Sequence, residues 1–147
     1  MHSELNHIST FIRLKSLVGT WHGINEDKEP TTVNYALTAA DSALVESWIF
    51  DNGSEALTIY HMDNDILMAM HYCPIGNQPR LDLKEQLADG TLKFECVSAT
   101  HMKSFKDPHE HAFDLKLIEN GSFYRTETYV EKDGSYQSNG ILFQRAE

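Results

Sequence analysis

Apolar and polar residues alternate along most of this chain with a period of two. The alternation is clear at residues 32–38, 42–50, 78–87 and 111–119. Such a period places successive side chains on opposite faces of a β-strand. Four two-residue turn signals separate apolar stretches: Asn52-Gly53, Asp89-Gly90, Asn120-Gly121 and Asp133-Gly134. The pattern therefore predicts about ten short antiparallel strands joined by tight turns.

The N-terminal stretch has a different spacing. Apolar residues in 4–17 recur at roughly 3.6-residue intervals, which is typical of one face of a helix. Ser3 is a candidate for the N-cap, and Gly19 lies just beyond the end of the pattern. We expect one short N-terminal helix.

A succession of strands with so little helix cannot supply the crossover connections of a parallel sheet. Closing the strands into an up-and-down barrel removes the exposed edges. We therefore expect an all-β fold, an antiparallel barrel of about ten strands, with a two-sheet sandwich as the alternative. At 147 residues the chain is expected to form one domain, 1–147, with the helix in 1–17 and the barrel in 18–147.

Two ends of the chain carry a resemblance to a known group of barrels. The segment Leu17-Val18-Gly19-Thr20-Trp21, together with Arg145 in the last strand, resembles the Gly-x-Trp and terminal Arg pairing of lipocalin-like (calycin) barrels. The resemblance implies a Trp that plugs one end of the barrel and an Arg that stacks over it.

Most of the chain, residues 14–143, is similar to uncharacterised bacterial barrel proteins of the DUF1579 type. The similarity is carried by the segment at 17–21, by residues 71–73 and 76–79, and by the His-x-His at 109–111. It implies a Met at position 110 and a Trp at position 127, where this chain has Glu110 and Glu127. The resemblance supplies a fold and no assured function.

The charge distribution argues against two classes of partner. The formal net charge is −10, and the 12 Lys and Arg residues are scattered. Nucleic acids and anionic membranes require a concentrated positive patch. The chain shows neither a secretory signal nor an apolar run long enough to span a bilayer. Cys73 and Cys96 are compatible with a reducing compartment, although a disulfide between them is left open. We expect a cytoplasmic monomer or homodimer.

Several polar residues share the inward stripe of the predicted barrel. Glu46 alternates with Leu44 and Trp48, and His111 has the parity of Phe113. Arg125 and Glu127 are also expected to face inward, although Tyr124 and Val130 favour the opposite phase. Ionised groups in a barrel lumen need partners, water or a polar ligand.

The strand before residue 73 is apolar on both faces, so its orientation is open. Either Leu67, Ala69, His71 and Cys73 face inward, or the alternate residues with Tyr72 do. We favour an inward His71. The predicted ligand-binding set is therefore Glu46, Trp48, His71, Cys73, Phe94, His111, Phe113 and Arg125.

Metal binding and catalysis are sharper hypotheses for the same residues. His109-x-His111 has a spacing suited to chelation, with His71 or Glu46 as a third ligand and Cys73 as a softer one. Eight histidines make one such pair unsurprising, so we assign no metal or other cofactor. Haem is not expected, because no His follows His111.

Catalysis would require an activated Cys73 beside His71, or an acid–base pair of Glu46 and His111. No nucleophile elbow or phosphate-binding loop accompanies them. We expect a protein that binds a small, partly polar molecule in the barrel lumen. The alternatives are a metal- or thiol-dependent enzyme using His71, Cys73, His109 and His111, and a barrel with a filled core and no ligand.

Overall fold

The computed structural model describes residues 5–25 and 27–146. Ten strands follow a short helix, and their bounds are β1 Gly19–Ile24, β2 Pro30–Thr38, β3 Ala43–Phe50, β4 Glu55–Asp63, β5 Ile66–Tyr72, β6 Gln78–Gln86, β7 Leu92–Thr100, β8 His109–Ile118, β9 Ser122–Val130 and β10 Tyr136–Arg145.

The strands form one closed antiparallel barrel. Each strand pairs with the next along the chain, and β10 returns to pair with β1. The predicted all-β barrel is confirmed, and the two-sheet sandwich is excluded, because the ring of hydrogen-bonded strands has no break. Closure leaves no long edge available for pairing with another chain.

The helix α1 spans His7–Leu14 and continues as a 3-10 turn over Lys15–Leu17. Its N-cap is Asn6, whose side chain accepts a hydrogen bond from the Ser9 amide at 2.9 Å. The expected cap, Ser3, lies outside the described residues. Within the described ranges, no helix is long and apolar enough to cross a membrane.

The helix lies at one end of the barrel, which we call the closed end. Phe11 and Leu14 are buried in the main apolar core. The ring of His7 accepts a hydrogen bond from the Leu67 amide of β5 at 2.9 Å, and this contact ties the helix to the wall.

A stacked pair joins the first and last strands near the closed end. The Arg145 guanidinium lies 4.2 Å from the centre of the Trp21 ring. Its Nη1 and Nη2 atoms donate to the carbonyls of Val18 and Ser16, at 3.0 and 3.2 Å. The indole nitrogen of Trp21 donates to the Leu17 carbonyl at 2.8 Å. This is the structural pairing that the lipocalin-like resemblance implies.

Aromatic side chains fill the closed half of the lumen. Phe123 and Phe143 stack at 4.9 Å, and Trp21 meets Phe123 edge-on at 4.9 Å. Such contacts add to the large apolar area that each ring buries. The connections β1–β2, β3–β4, β5–β6, β7–β8 and β9–β10 lie at the opposite end, which we call the open end. The buried polar side chains of the lumen lie between the aromatic layer and this open end.

Candidate functional site

The first polar group in the lumen surrounds the carboxylate of Glu46, in the middle of β3. Tyr35 and Tyr60 each donate a hydrogen bond to Oε2 at 2.6 Å. The Trp48 indole donates to Oε1 at 2.6 Å, and Arg125 Nη1 donates to Oε2 at 2.8 Å. We call these five residues the Glu46 cluster. All five are almost completely buried.

Within the Glu46 cluster, Glu46 and Arg125 form an ion pair that stays charged although both side chains are buried. Burial acts to raise the pKa of Glu46, but the Arg125 charge and the hydrogen bonds outweigh it and hold the pKa below its usual value. The Arg125 guanidinium also lies 3.9 Å from the centre of the Phe113 ring. Glu46 therefore has a complete set of donors and little capacity left for a ligand.

Arg125 is less completely satisfied than Glu46. Its Nε and Nη2 atoms are buried with no hydrogen-bond partner among the described residues. Nη2 lies 3.4 Å from Oε1 of Glu127, two residues along β9. The guanidinium thus connects the Glu46 cluster to a second polar group nearer the open end.

This second group, the Glu110 cluster, joins β4, β5, β8 and β9. Tyr129 donates to Oε2 of Glu110 at 2.9 Å. His71 Nε2 lies 3.3 Å from the same oxygen and 3.2 Å from the Tyr129 hydroxyl. On the other side of the ring, Nδ1 of His71 lies 2.9 Å from the Thr58 hydroxyl. The preferred inward orientation of His71 is thus the one the structure shows.

The protons of the Glu110 cluster follow from this geometry. Burial raises the pKa of Glu110 to about 7 and lowers the pKa of His71. The ring is therefore neutral near pH 7. Since the Tyr129 hydroxyl donates its proton to Glu110, its contact with Nε2 of His71 is consistent with a proton on Nε2, which leaves Nδ1 to accept from Thr58. Oε1 of Glu110 is buried without a hydrogen-bond partner in the described part of the chain.

Glu127 is the second carboxyl of this region. It lies opposite Phe113 in the β8–β9 ladder, and its side chain is 18% exposed. Burial, and then the negative charge of Glu110, raise the pKa of Glu127 to about 7 against the opposing effect of Arg125. The inward orientation expected for Arg125 and Glu127 is observed.

The expected inward orientation of His111 is wrong, and a β-bulge is the reason. In the β8–β9 ladder Glu110 pairs with Tyr129 and Ala112 with Thr128, so His111 is the extra residue. A bulge shifts side-chain parity by one position. Glu110 therefore takes the lumen position that simple alternation from Phe113 assigns to His111.

His111 lies on the outer side of the barrel with His109. Their rings are 3.1 Å apart between Nε2 of His109 and Nδ1 of His111. The exposed ring of Tyr136 lies 5.4 Å from His111, centre to centre. The metal candidates are thus divided between the lumen, which holds His71, and the outer side of β8, where His109 is itself completely buried beside His111. Across the described ranges, no three His, Cys, Asp or Glu side chains converge in a way that could hold a metal ion.

The geometry does not favour thiol chemistry at Cys73 either. Both cysteines are free, so the disulfide left open by the sequence does not form. Burial raises the pKa of the Cys73 thiol, whereas a nucleophilic cysteine requires a lowered value. Both ring nitrogens of His71 already have polar contacts in the Glu110 cluster.

Two pockets open at the rim near these groups. One, of about 520 Å³, is lined by Tyr129 and Asn77 and by parts of the β7–β8 and β9–β10 connections. The other, of about 550 Å³, is lined by Trp48, Ala56 and Cys73 together with neighbouring rim residues. Both volumes are within the range of small-molecule sites.

The remaining predicted wall residues lie deeper. Phe94 and Phe113 stack at 4.5 Å and are almost completely buried, and Phe113 lies opposite Glu127 in the β8–β9 ladder, so they form part of the core beside the polar groups. Sequence reasoning missed Glu110, Tyr129 and Thr58 as a group around His71. The two-residue alternation gives no signal for the bulge that brings Glu110 inward.

No family model matches this chain, and no curated protein has a matching sequence. The closed ten-stranded antiparallel barrel is compatible with a lipocalin-like fold. No match supports the DUF1579-type group specifically.

Proposed function

We propose that this protein binds a small, partly polar molecule at the open end of its barrel. Glu110, Glu127, Tyr129 and His71 would orient the molecule, with Arg125 below them. The observation that carries the proposal is the unpartnered Oε1 of Glu110, an oxygen of a fully buried side chain. A buried polar atom without a partner is costly, and it is commonly satisfied by water or by a ligand.

The position of this oxygen within the barrel supports the proposal. Tyr129, which donates to the other oxygen of Glu110, also lines the 520 Å³ rim pocket. Asn77 lines the same pocket, and its Oδ1 is likewise buried without a partner among the described residues. Glu127 is partly exposed. The rim pocket is thus lined by one unsatisfied acceptor, Asn77 Oδ1, and by Tyr129, the residue that contacts Glu110.

The proposal also includes the location and the partners of the protein, which are inferred from its composition. The net charge of −10 favours partners other than nucleic acids and anionic membranes. We retain a cytoplasmic location and a possible homodimer on the same footing.

Native mass spectrometry of protein purified without an affinity tag tests the proposal. We expect a mass excess over the denatured chain, lost on denaturation, that identifies the bound molecule. The excess should be absent or much reduced in Glu110→Gln and Glu127→Gln. It should persist in His111→Ala, because His111 lies outside the lumen. If the native and denatured masses of the wild type agree, and cell extract restores no excess, the proposal fails.

A further inference from the structure

The charges in the lumen do not balance. The Glu46 and Glu110 clusters, with Glu127, contain three carboxyl groups in the described part of the chain and one guanidinium, that of Arg125. Arg125 is hydrogen-bonded to Glu46 at 2.8 Å, and this pair accounts for one charge of each sign. Glu110 and Glu127 remain without a matching positive charge.

The remaining titratable neighbours do not supply that charge. His71 faces Glu110, but its burial favours the neutral ring. Tyr129 and Thr58 are neutral donors or acceptors. Ionised Glu110, which is completely buried, and ionised Glu127, which is partly exposed, would repel each other, and a proton or a cation from outside the chain would relieve that repulsion.

A bare metal ion is a poor match for this region, because the described residues contain no convergent set of three ligands. An organic ammonium needs only two or three acceptors and an aromatic surface. Acceptors are present at Oε1 of Glu110 and at the partly exposed carboxyl of Glu127. Tyr129, which contacts Glu110, also places an aromatic ring at the 520 Å³ rim pocket.

We propose that the ligand class of this barrel is a small organic cation, whose amine or ammonium group is bound by the carboxyl groups of Glu110 and Glu127. This inference rests on the proposed binding function and specifies its chemistry. The Glu46 cluster lies below the site, toward the closed end. Because Arg125 is paired with Glu46, its positive charge repels the incoming cation less strongly.

Isothermal titration calorimetry with three probes of similar shape tests the sign of the charge. The probes are 2-phenylethylamine, 2-phenylethanol and 3-phenylpropionate, which are cationic, neutral and anionic near neutral pH. We expect the amine to bind at least about tenfold more tightly than the alcohol, since charge-assisted hydrogen bonds are the stronger ones. The carboxylate should show no binding. Equal binding of amine and alcohol, or a preference for the carboxylate, would overturn the inference.

Proton release supplies a second readout on the wild type. Both carboxyls have pKa values of about 7, so each is about half protonated at that pH. Binding of a cation should expel about one proton in total, measured from titrations in buffers of different ionisation enthalpy. If no probe binds, or binding moves no proton, protons alone neutralise the two carboxyls and the inference is wrong.

Single substitutions test whether the carboxyl of Glu127 binds the cation. Glu127→Gln should weaken binding of 2-phenylethylamine about tenfold and leave 2-phenylethanol unaffected. Glu95→Gln removes an exposed carboxyl from the outer face of β7 and should have no effect. Equal weakening by both variants would indicate long-range attraction by the acidic surface and contradict the site. A native mass excess that is neutral or anionic would leave the binding function standing while refuting the cation.

Discussion

At the scale of single residues, burial determines the chemistry of this barrel. Glu46 and Glu110 are both fully buried, yet their pKa values move in opposite directions. Glu46 has Arg125 and three further donors, whereas Glu110 has Tyr129, the neutral ring of His71 and one unpartnered oxygen. The adjacent Arg125 charge, reinforced by the hydrogen-bond donors, makes Glu46 a structural ion, whereas burial dominates at Glu110 and makes it a titrating group.

Replacing Glu127 with Gln should change how stability depends on pH. The folded-state pKa of about 7 exceeds the usual value near 4.3 of an unfolded chain. The stabilising proton is therefore held at low pH and lost as the pH rises through about 7, so ionisation destabilises the fold. Between about pH 5 and pH 8, the wild type should lose about 2.5 kcal/mol more stability than Glu127→Gln.

Urea unfolding at the two pH values measures this difference. The groups facing Glu127 are Glu110, Arg125, His71 and Glu46, and the variant leaves all four in place. Glu95→Gln, on the exposed outer face, serves as the control and should follow the wild-type trend. A difference between wild type and Glu127→Gln that stays constant with pH would contradict the raised pKa.

Replacing Arg125 with Met should destabilise the barrel strongly. The substitution leaves the Glu46 carboxylate buried without its counter-charge, which costs about 3–5 kcal/mol. Adding Glu46→Gln should recover part of the loss, because the orphaned charge is then removed. Denaturant unfolding of the two single variants and the double variant gives the coupling. Additive losses would show that the pair is not coupled in the way its geometry indicates.

At the scale of elements, two of the irregular positions in the barrel have clear structural consequences. Gly19 has a φ angle of +132°, and an added Cβ would lie 2.8 Å from Nη1 of Arg145. The glycine therefore leaves room for the Arg145 side chain beside Trp21. The bulge at His111 is the second position, since it determines which face of β8 meets the lumen.

Gly19→Ala should lower the free energy of unfolding by about 2–3 kcal/mol, through backbone strain and collision with Arg145. Gly53→Ala is the matched control. Gly53 also has a positive φ, of +84°, but no atom lies within 4 Å of its added Cβ. The control should cost only the backbone strain, about 1 kcal/mol. Equal losses in thermal or urea unfolding would show that contact with Arg145 contributes nothing.

Deleting His111 should be tolerated. Without it, Glu110 and Ala112 can pair with Tyr129 and Thr128 as consecutive residues of a regular ladder, and Glu110 still faces inward. We expect a cost of about 1–2 kcal/mol from the lost contacts of His111 with its neighbours. Deleting Asp114 from the regular part of β8 should abolish folding, because it reverses side-chain parity on one side of the deletion. Near-UV circular dichroism distinguishes the two outcomes.

At the scale of the whole molecule, the sequence predicts the barrel better than it predicts the site. Alternation and turn pairs report local geometry repeated ten times, so the antiparallel strands and the inward Glu46 follow from them. Alternation alone leaves the orientations of His71 and Arg125 open. The partners of those residues come from strands far apart in sequence. Arg125 and Glu46 are 79 positions apart, for example. Periodicity carries no information on such pairings.

The N-terminal helix and His111 show two other reasons why sequence patterns fail to predict details of the structure. The helix begins at a cap supplied by Asn6, and its spacing alone does not identify which polar residue caps it. Extending the regular alternation through a backbone irregularity predicts the wrong face of the strand for His111. A regular strand is predictable because its side chains alternate between two faces. The candidate site forms where that alternation is interrupted.

The bulge in β8 also bears on how lumen chemistry can change over generations. Parity along a strand behaves like a reading frame with two phases, and the extra residue shifts the phase for the start of β8. In one phase this segment presents an imidazole to the interior, and in the other a carboxylate. Moving the bulge to the N-terminal side of Glu110 would therefore turn His111 inward and Glu110 outward without exchanging a single side chain. Aligned relatives should be compared by phase at this position rather than by residue identity.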